Sequence, residues 1–153
     1  MEITYVGHSG FFIEWEASYW LFDYYKGDLP EMDSKKKLFV FASHKHSDHF
    51  NPMIFKFTEK YDAAEYVLSS DIKVTKEFCH KIGVTEKILD KIVSVKPSNE
   101  YEMEDGKRNK ILLKTRKSTD CEIAFLLQYQ GKVIYHAGDL NLRMWKYRMQ
   151  EEE

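Results

Sequence analysis

The sequence is poor in cysteine, proline and glycine, and it lacks a long apolar run. Only two of its 153 residues are cysteines, Cys79 and Cys121, and their spacing forms no CxxC pair. A disulfide framework is therefore not expected, and a reducing cytoplasm is the predicted location. The longest apolar stretches, such as 38–42 and 123–127, are about five residues, far below the ~20 of a membrane-spanning helix. Neither a secretory signal nor a membrane partner is predicted.

An excess of one charge sign is also absent. The chain has 23 Lys and Arg against 25 Asp and Glu, which gives a formal net charge of −2 and an isoelectric point near 6.3. This balance argues against a protein that binds nucleic acid by neutralising many phosphates. The basic run 35–37 is interpreted as a solvated loop. With 43% hydrophobic residues, the chain is predicted to form a single domain over 1–153 with one substantial core.

Short β-branched and aromatic runs between glycines and polar turns predict a chain rich in strands. Asn51 and Pro52 predict the start of a helix of about ten residues, and Asp105-Gly106 predicts a hairpin. The segment 140–153 is interpreted as a short helix or a frayed tail. The predicted strands are 2–6, 11–15, 19–23, 38–42, 65–68, 92–96, 110–116, 122–129 and 132–136, and a second helix is predicted over 72–81.

The clearest chemical signal follows the apolar strand 38–42, where four candidate metal ligands lie within six residues. They are His44, His46, Asp48 and His49. In an extended loop, side chains at i and i+2 point the same way, so His44 and His46 can chelate one ion. A helix would separate these two by about 200°. Imidazole and carboxylate together suit Zn²⁺, Mn²⁺ or Fe²⁺.

A second strand also ends in a carboxylate. The run 133–136 is followed by Ala137, Gly138 and Asp139. Asp139 can be a helix cap or, beside the first motif, a bridging metal ligand. His136 is a further candidate ligand, although alternation along the strand allows it to face the core equally well.

These elements together resemble the metallo-β-lactamase-fold hydrolases. The N-terminal run Gly7-His8-Ser9-Gly10 and the segment 21–23 look like the branch that is similar to ascorbate-6-phosphate lactonase, and the resemblance runs to about residue 141. It implies an α/β fold, a metallo-β-lactamase-like αβ/βα sandwich of two sheets. The chain stops about fourteen residues after Asp139, so a C-terminally shortened fold is expected. Most of one sheet and part of the second are expected. Either a homodimer or larger assembly covers the exposed sheet surface, or the chain is a truncated product of a longer gene with a weakened second metal site.

The resemblance also implies roles for individual residues. His44 and His46 would bind a first metal, Asp48 and His49 a second, and Asp139 would bridge them. A metal-bound hydroxide would attack the substrate, and Asp48 would orient it or shuttle its proton.

His8 and Asp23 would each lie at the rim of such a site or behind the ligands, where they would orient ligands or substrate. A turn residue and a strand-end cap are the plainer interpretations of these two. With Asp48, His8 is a candidate catalytic residue.

The sequence departs from the family pattern at two ligands. Between the two motifs the only candidate for a third histidine is His80, in a predicted helix, and it is interpreted as a surface residue. Asp120 or a water could take that place. No histidine follows His136.

The sequence is therefore compatible with three functions. The first is a hydrolase of a small-molecule ester, lactone or phosphoester that depends on one or two divalent ions, Zn or Mn, with Fe as a further candidate. The second is an inactive metal-binding remnant that serves as an interaction or structural module. The third is a nuclease of the same superfamily, against which the balanced charge argues.

Overall fold

The computed structural model describes residues 1–118 and 123–137 in full and the backbone strand at 143–146. Within these residues the strands form two sheets. The first has six strands in sequence order: β1 (Glu2–Gly7), β2 (Gly10–Glu14), β3 (Ser18–Phe22), β4 (Lys37–Ala42), β5 (Ala64–Ser69) and β6 (Ile92–Val95). The second has five strands in the order β11-β10-β9-β8-β7: β7 (Glu100–Glu104), β8 (Lys110–Lys117), β9 (Ile123–Tyr129), β10 (Lys132–His136) and β11 (Arg143–Lys146).

Strand direction divides the first sheet into two parts. Strands β1 to β3 form an antiparallel meander, whereas β3 to β6 are parallel neighbours. Parallel strands need crossover connections. Those after β4 and β5 carry helix α1 (Met53–Thr58), helix α2 (Lys76–Ile82) and a 3₁₀ helix at Glu86–Lys91. The second sheet is antiparallel where its pairings are described.

Strand β4 is buried on both faces, as its continuous apolar run predicts. Leu38 and Val40 belong to a core between the first sheet and the helices, together with Ile54 and Phe55 of α1. On the opposite face, the second core fills the space between the two sheets, with these aromatic members: Trp15, Trp20, Phe22, Phe39, Phe41, Phe125 and Tyr129. This packing holds the carboxyl end of β4 rigidly.

Both predicted helices are shorter than expected. Helix α1 has six residues instead of about ten. Its last residue is Thr58, whose hydroxyl lies 2.5 Å from the Tyr66 hydroxyl and donates back to the carbonyl of Ile54. Helix α2 begins at Lys76 because the Thr75 hydroxyl caps it, accepting a hydrogen bond from the Phe78 amide.

The prediction for residues 140–153 is wrong where the structure describes that segment. Residues 143–146 form strand β11, which pairs with β10. The edge of β10 offers backbone hydrogen-bonding groups with which this short segment pairs. The sequence of the segment has no strand pattern that would predict this pairing. Strand β7 and the 3₁₀ helix were not predicted, and the second sheet is more complete than expected.

The two α-helices of the described chain, with six and seven residues, are far shorter than the ~20 residues that cross a bilayer.

Candidate functional site

The candidate site lies at one edge of the first sheet, where three parallel strands end. Asp23 follows β3, the loop Ser43–His49 follows β4, and Asp71 lies shortly after β5. These strands pair in parallel, with Phe22 opposite Phe41 and Phe41 opposite Val67. Their carboxyl ends therefore bring polar residues from three separate parts of the chain together, as is usual for ligand sites of parallel sheets.

His44 and His46 converge on one point. His44 Nε2 lies 2.6 Å from His46 Nδ1, and the ring centroids are 3.9 Å apart. Two nitrogens that bind one tetrahedral zinc, each at ~2.05 Å, are about 3.3 Å apart. The pair must therefore open by only about 0.7 Å to hold an ion. The loop geometry is the one that the i, i+2 spacing predicts.

Asp48 and His49 form a second pair of candidate ligands. His49 Nε2 lies 3.5 Å from Asp48 Oδ2, and His49 is buried while the Asp48 side chain is 40% exposed. Partial burial acts to raise the pKa of Asp48. The charge of His49, a backbone hydrogen bond and the contact with His8 outweigh burial and lower this pKa below its ordinary value. Asp48 is therefore ionised at neutral pH.

Asp23 lies behind the second pair and orients His49. Its carboxylate is fully buried, and Oδ1 accepts from the Ser43 amide at 2.7 Å. Oδ2 accepts from the Ser43 hydroxyl at 2.6 Å and lies 3.0 Å from His49 Nδ1. Asp23 adopts a left-handed conformation, with φ at 46°, which sharply turns the chain at the end of β3. A carboxylate on Nδ1 favours the tautomer that presents the Nε2 lone pair.

His8 lies at the exposed rim. It occupies the tight turn between β1 and β2 with φ at 55°, and the Tyr5 hydroxyl donates to its carbonyl at 2.8 Å. Its side chain is 48% exposed, and Nε2 lies 3.3 Å from Asp48 Oδ2. His8 and Asp48 thus contact each other at a rim where both side chains are open to solvent.

His136 belongs to neither ligand pair. It is fully buried and stacks on Phe22 with ring centroids 5.0 Å apart. Its Nε2 lies 2.8 Å from the Ser9 carbonyl, and its Nδ1 lies 4.0 Å from Asp23 Oδ2. Of the two orientations that strand alternation allowed, the structure has the one that faces the core.

The remaining sequence candidates are Asp139, Asp120 and His80. Asp139 and Asp120 fall outside the described residues. His80 lies on helix α2 with a side chain that is 70% exposed, and its Nε2 is 3.1 Å from Glu86 Oε1. It contributes nothing to the site, which agrees with its interpretation as a surface residue.

The residues fit a divalent ion in chemistry, but in the described part of the chain no three of them are arranged around one point. Among residues 1–118 and 123–137, no group of three or more His, Cys, Asp or Glu side chains is arranged to hold one ion. His44 and His46 face each other, while Asp48 faces His8 and His49 is held by Asp23. The donor set, imidazole nitrogen with carboxylate oxygen, is the one that Zn²⁺, Mn²⁺ and Fe²⁺ accept.

Sequence reasoning missed two supporting residues. Ser43 supplies the amide and hydroxyl that fix Asp23, and Asp71 lies against His44. The pairing of β5 with β4 is the signal that could have found Asp71, because both strands end at the same edge of the sheet.

The comparisons with known proteins agree with this architecture. Residues 2–151 match the family described as the beta-lactamase superfamily domain. Igni18, a metallo hydrolase from the archaeon Ignicoccus hospitalis, is similar in structure with a TM-score of 0.60 and 18% identity; the match covers 89% of this chain and 59% of that one. A protein named as a metal-dependent hydrolase from Parabacteroides distasonis has a TM-score of 0.52 and 17% identity, with the same coverage of 89% and 59%.

A variant of CmlA beta-hydroxylase has a TM-score of 0.55 at 13% identity, over 87% of this chain and 29% of that one. No curated protein gives a significant sequence match. The chain thus spans about three-fifths of the length of the two hydrolase structures. The predicted metallo-β-lactamase-like fold is confirmed, and the family match over nearly the whole chain shows that this protein belongs to the beta-lactamase superfamily.

Proposed function

We propose that the protein is a divalent-metal-dependent hydrolase that acts on an ester, lactone or phosphoester of a small molecule. The convergence of His44 Nε2 and His46 Nδ1 at 2.6 Å, at the carboxyl end of a buried strand, is the observation that carries this proposal. Membership of the beta-lactamase superfamily and the likeness to two structures named as metal-dependent hydrolases support hydrolase function in general. The narrower assignment to the ascorbate-6-phosphate-lactonase-like branch rests on the N-terminal Gly-His-Ser-Gly run.

In this proposal His44 and His46 hold a first ion, and Asp48 and His49 hold a second. Asp139 is the proposed bridging ligand. Zn or Mn is preferred and Fe is a further candidate. A bound divalent ion lowers the pKa of a coordinated water and polarises the oxygen of the bond to be cleaved.

The chain's own residues supply the proton path. Asp48 is ionised and half exposed, so it can accept a proton at Oδ2. His8 Nε2, 3.3 Å away, can take this proton onward to solvent. Asp23 keeps the His49 ring in a fixed orientation throughout.

A second candidate function is a metal-binding module without turnover. It is favoured by one observation: in the described part of the chain no three His, Cys, Asp or Glu side chains are arranged to hold one ion. Cytoplasmic location and a homo-oligomeric state remain predictions in both cases.

The test compares one ligand variant with one control variant. Protein purified without chelators is re-metallated with Zn or Mn, its metal content is measured by elemental analysis, and hydrolysis is assayed over a panel of esters, lactones and phosphodiesters. The variant is His46→Ala. The control is His80→Ala, which removes an exposed histidine on helix α2.

We expect bound metal and hydrolysis in wild type and in His80→Ala, and loss of both in His46→Ala. Metal without hydrolysis over the whole panel would favour the binding module. Protein without metal above background contradicts both functions.

A further inference from the structure

Asp71 lies on the far side of His44 from the point where His44 and His46 converge. Its Oδ2 is 3.3 Å from His44 Nδ1 and 3.3 Å from the Lys45 amide nitrogen. Only 7% of the His44 side chain and 20% of the Asp71 side chain are exposed. Asp71 therefore contacts His44 on one ring nitrogen while His46 contacts it on the other.

Asp71 and His44 are close, but each has a buried polar atom without a hydrogen-bond partner among the described residues. His44 Nδ1 and Asp71 Oδ2 are within ion-pair distance, yet His44 Nδ1 lacks a well-aligned hydrogen bond to any described residue, and so does Asp71 Oδ1. Both atoms are buried. A buried donor or acceptor without a partner is destabilising. A rotation that aligned His44 Nδ1 with the Asp71 carboxylate would give Nδ1 an acceptor.

Metal binding through Nε2 requires the same proton position on Nδ1 that this contact favours. A neutral imidazole has one N–H and one lone pair. When Nε2 of His44 offers its lone pair to a cation, the proton must be on Nδ1 and needs an acceptor. Asp71 is positioned to be that acceptor.

We propose that Asp71 is a positioning residue for His44, because it accepts the Nδ1 proton and fixes the ring with Nε2 toward the ion. This inference rests on the proposed metal-dependent function. Asp71 would thus act on His44 of the first ligand pair as Asp23 acts on His49 of the second pair.

A purely structural role is the alternative, since Asp71 also accepts from the Lys45 amide and so shapes the loop. The two roles differ in what they control. A structural role affects the stability of the loop, whereas a positioning role sets the tautomer of His44 and the affinity for metal.

The experiment uses the full chain with Asp71→Ala and Asp71→Asn, and with Asp62→Ala as a control at an exposed aspartate. The His44 tautomer is measured in metal-free, ¹⁵N-labelled protein from long-range imidazole correlations, and zinc affinity is measured by competition with a chromophoric chelator. We expect Nδ1–H in wild type, its loss in Asp71→Ala, and zinc binding about 10–100-fold weaker. Asp71→Asn should lose less, because its amide oxygen accepts the same proton without the charge. Asp62→Ala should match wild type.

Two results overturn the inference: a wild-type His44 protonated on Nε2, or Asp71→Ala binding zinc as tightly as wild type. A wild-type protein that binds no zinc overturns the proposed function instead. In that case the metal-free tautomers of wild type and Asp71→Ala still decide the role of Asp71.

Discussion

Replacing Asp23 by Asn should damage the site much more than it damages the fold. Asp23 Oδ1 accepts from the Ser43 amide, and Oδ2 accepts from the Ser43 hydroxyl and faces His49 Nδ1. An Asn at this position has one oxygen and one NH₂ group. If the oxygen keeps the Ser43 amide, the NH₂ group faces His49, so His49 must accept on Nδ1 and carry its proton on Nε2. That tautomer cannot bind metal through Nε2.

The magnitudes follow from the contacts that each variant loses. Asp23→Asn keeps the shape and exchanges charge-assisted hydrogen bonds for neutral ones, which costs about 1–2 kcal/mol of unfolding free energy. Asp23→Ala removes the acceptor of three buried groups, at about 1–3 kcal/mol each where water does not replace it, so we expect about 3–9 kcal/mol. This loss is a large share of the ~5–15 kcal/mol of a typical domain.

Urea unfolding gives the stability change, and elemental analysis of re-metallated protein gives the number of bound ions. Asp23→Asn should remain folded and lose metal from the Asp48 and His49 pair, while His44 and His46 keep theirs. An Asp23→Asn variant that retains the wild-type metal content and a His49 protonated on Nδ1 would show that the Asp23 carboxylate does not set the His49 tautomer.

Three further predictions concern the scaffold and are read from unfolding free energies. Tyr129→Phe removes a buried hydrogen bond to Asp105 and should cost about 1.5–3 kcal/mol. Burial acts to raise the pKa of Asp105, but its hydrogen bonds, led by that of Tyr129, lower this pKa below the ordinary 3.8. Above pH 3.8 the Asp105 carboxylate is therefore charged and the hydrogen bond from Tyr129 is charge-assisted. The stability lost in Tyr129→Phe should shrink as the pH falls through the lowered pKa of Asp105. A deficit that is constant down to acid denaturation would contradict this. Gly27→Ala should lower the free energy of unfolding more than Gly131→Ala does. Both glycines have positive φ, but of the two only Gly27 would place a Cβ against a backbone oxygen, at 2.5 Å. Equal losses would show that the backbone at Gly27 can shift freely. Phe41→Ala leaves a cavity between the sheets and should lower the free energy of unfolding by about 3–5 kcal/mol. A loss as small as that of a surface substitution would contradict the packing of Phe41 between the sheets.

The parts of the fold that carry strong local patterns could be predicted from the sequence. The apolar run of β4 requires burial on both faces, and the two cores provide it. The hairpin at Asp105-Gly106 forms because the Asp105 side chain accepts from the amides of Lys107 and Asn109. The loop placement of His44 and His46 follows from their i, i+2 spacing after that strand.

The parts that depend on tertiary contacts could not be predicted. Strand β11 is four residues long and owes its pairing to the edge of β10. Asp71 is one aspartate among many, and only the parallel pairing of β5 with β4 brings it to His44. The burial of His136 against Phe22 depends on how the two sheets pack, which strand alternation alone left open.

Anomalous diffraction at the zinc edge, on crystals of the full chain grown with zinc, would locate an ion bound by the first ligand pair. We expect a peak about 2.0–2.1 Å from both His44 Nε2 and His46 Nδ1, with these nitrogens farther apart than their present 2.6 Å. Crystals that contain zinc but show no peak between these two nitrogens would contradict this expectation.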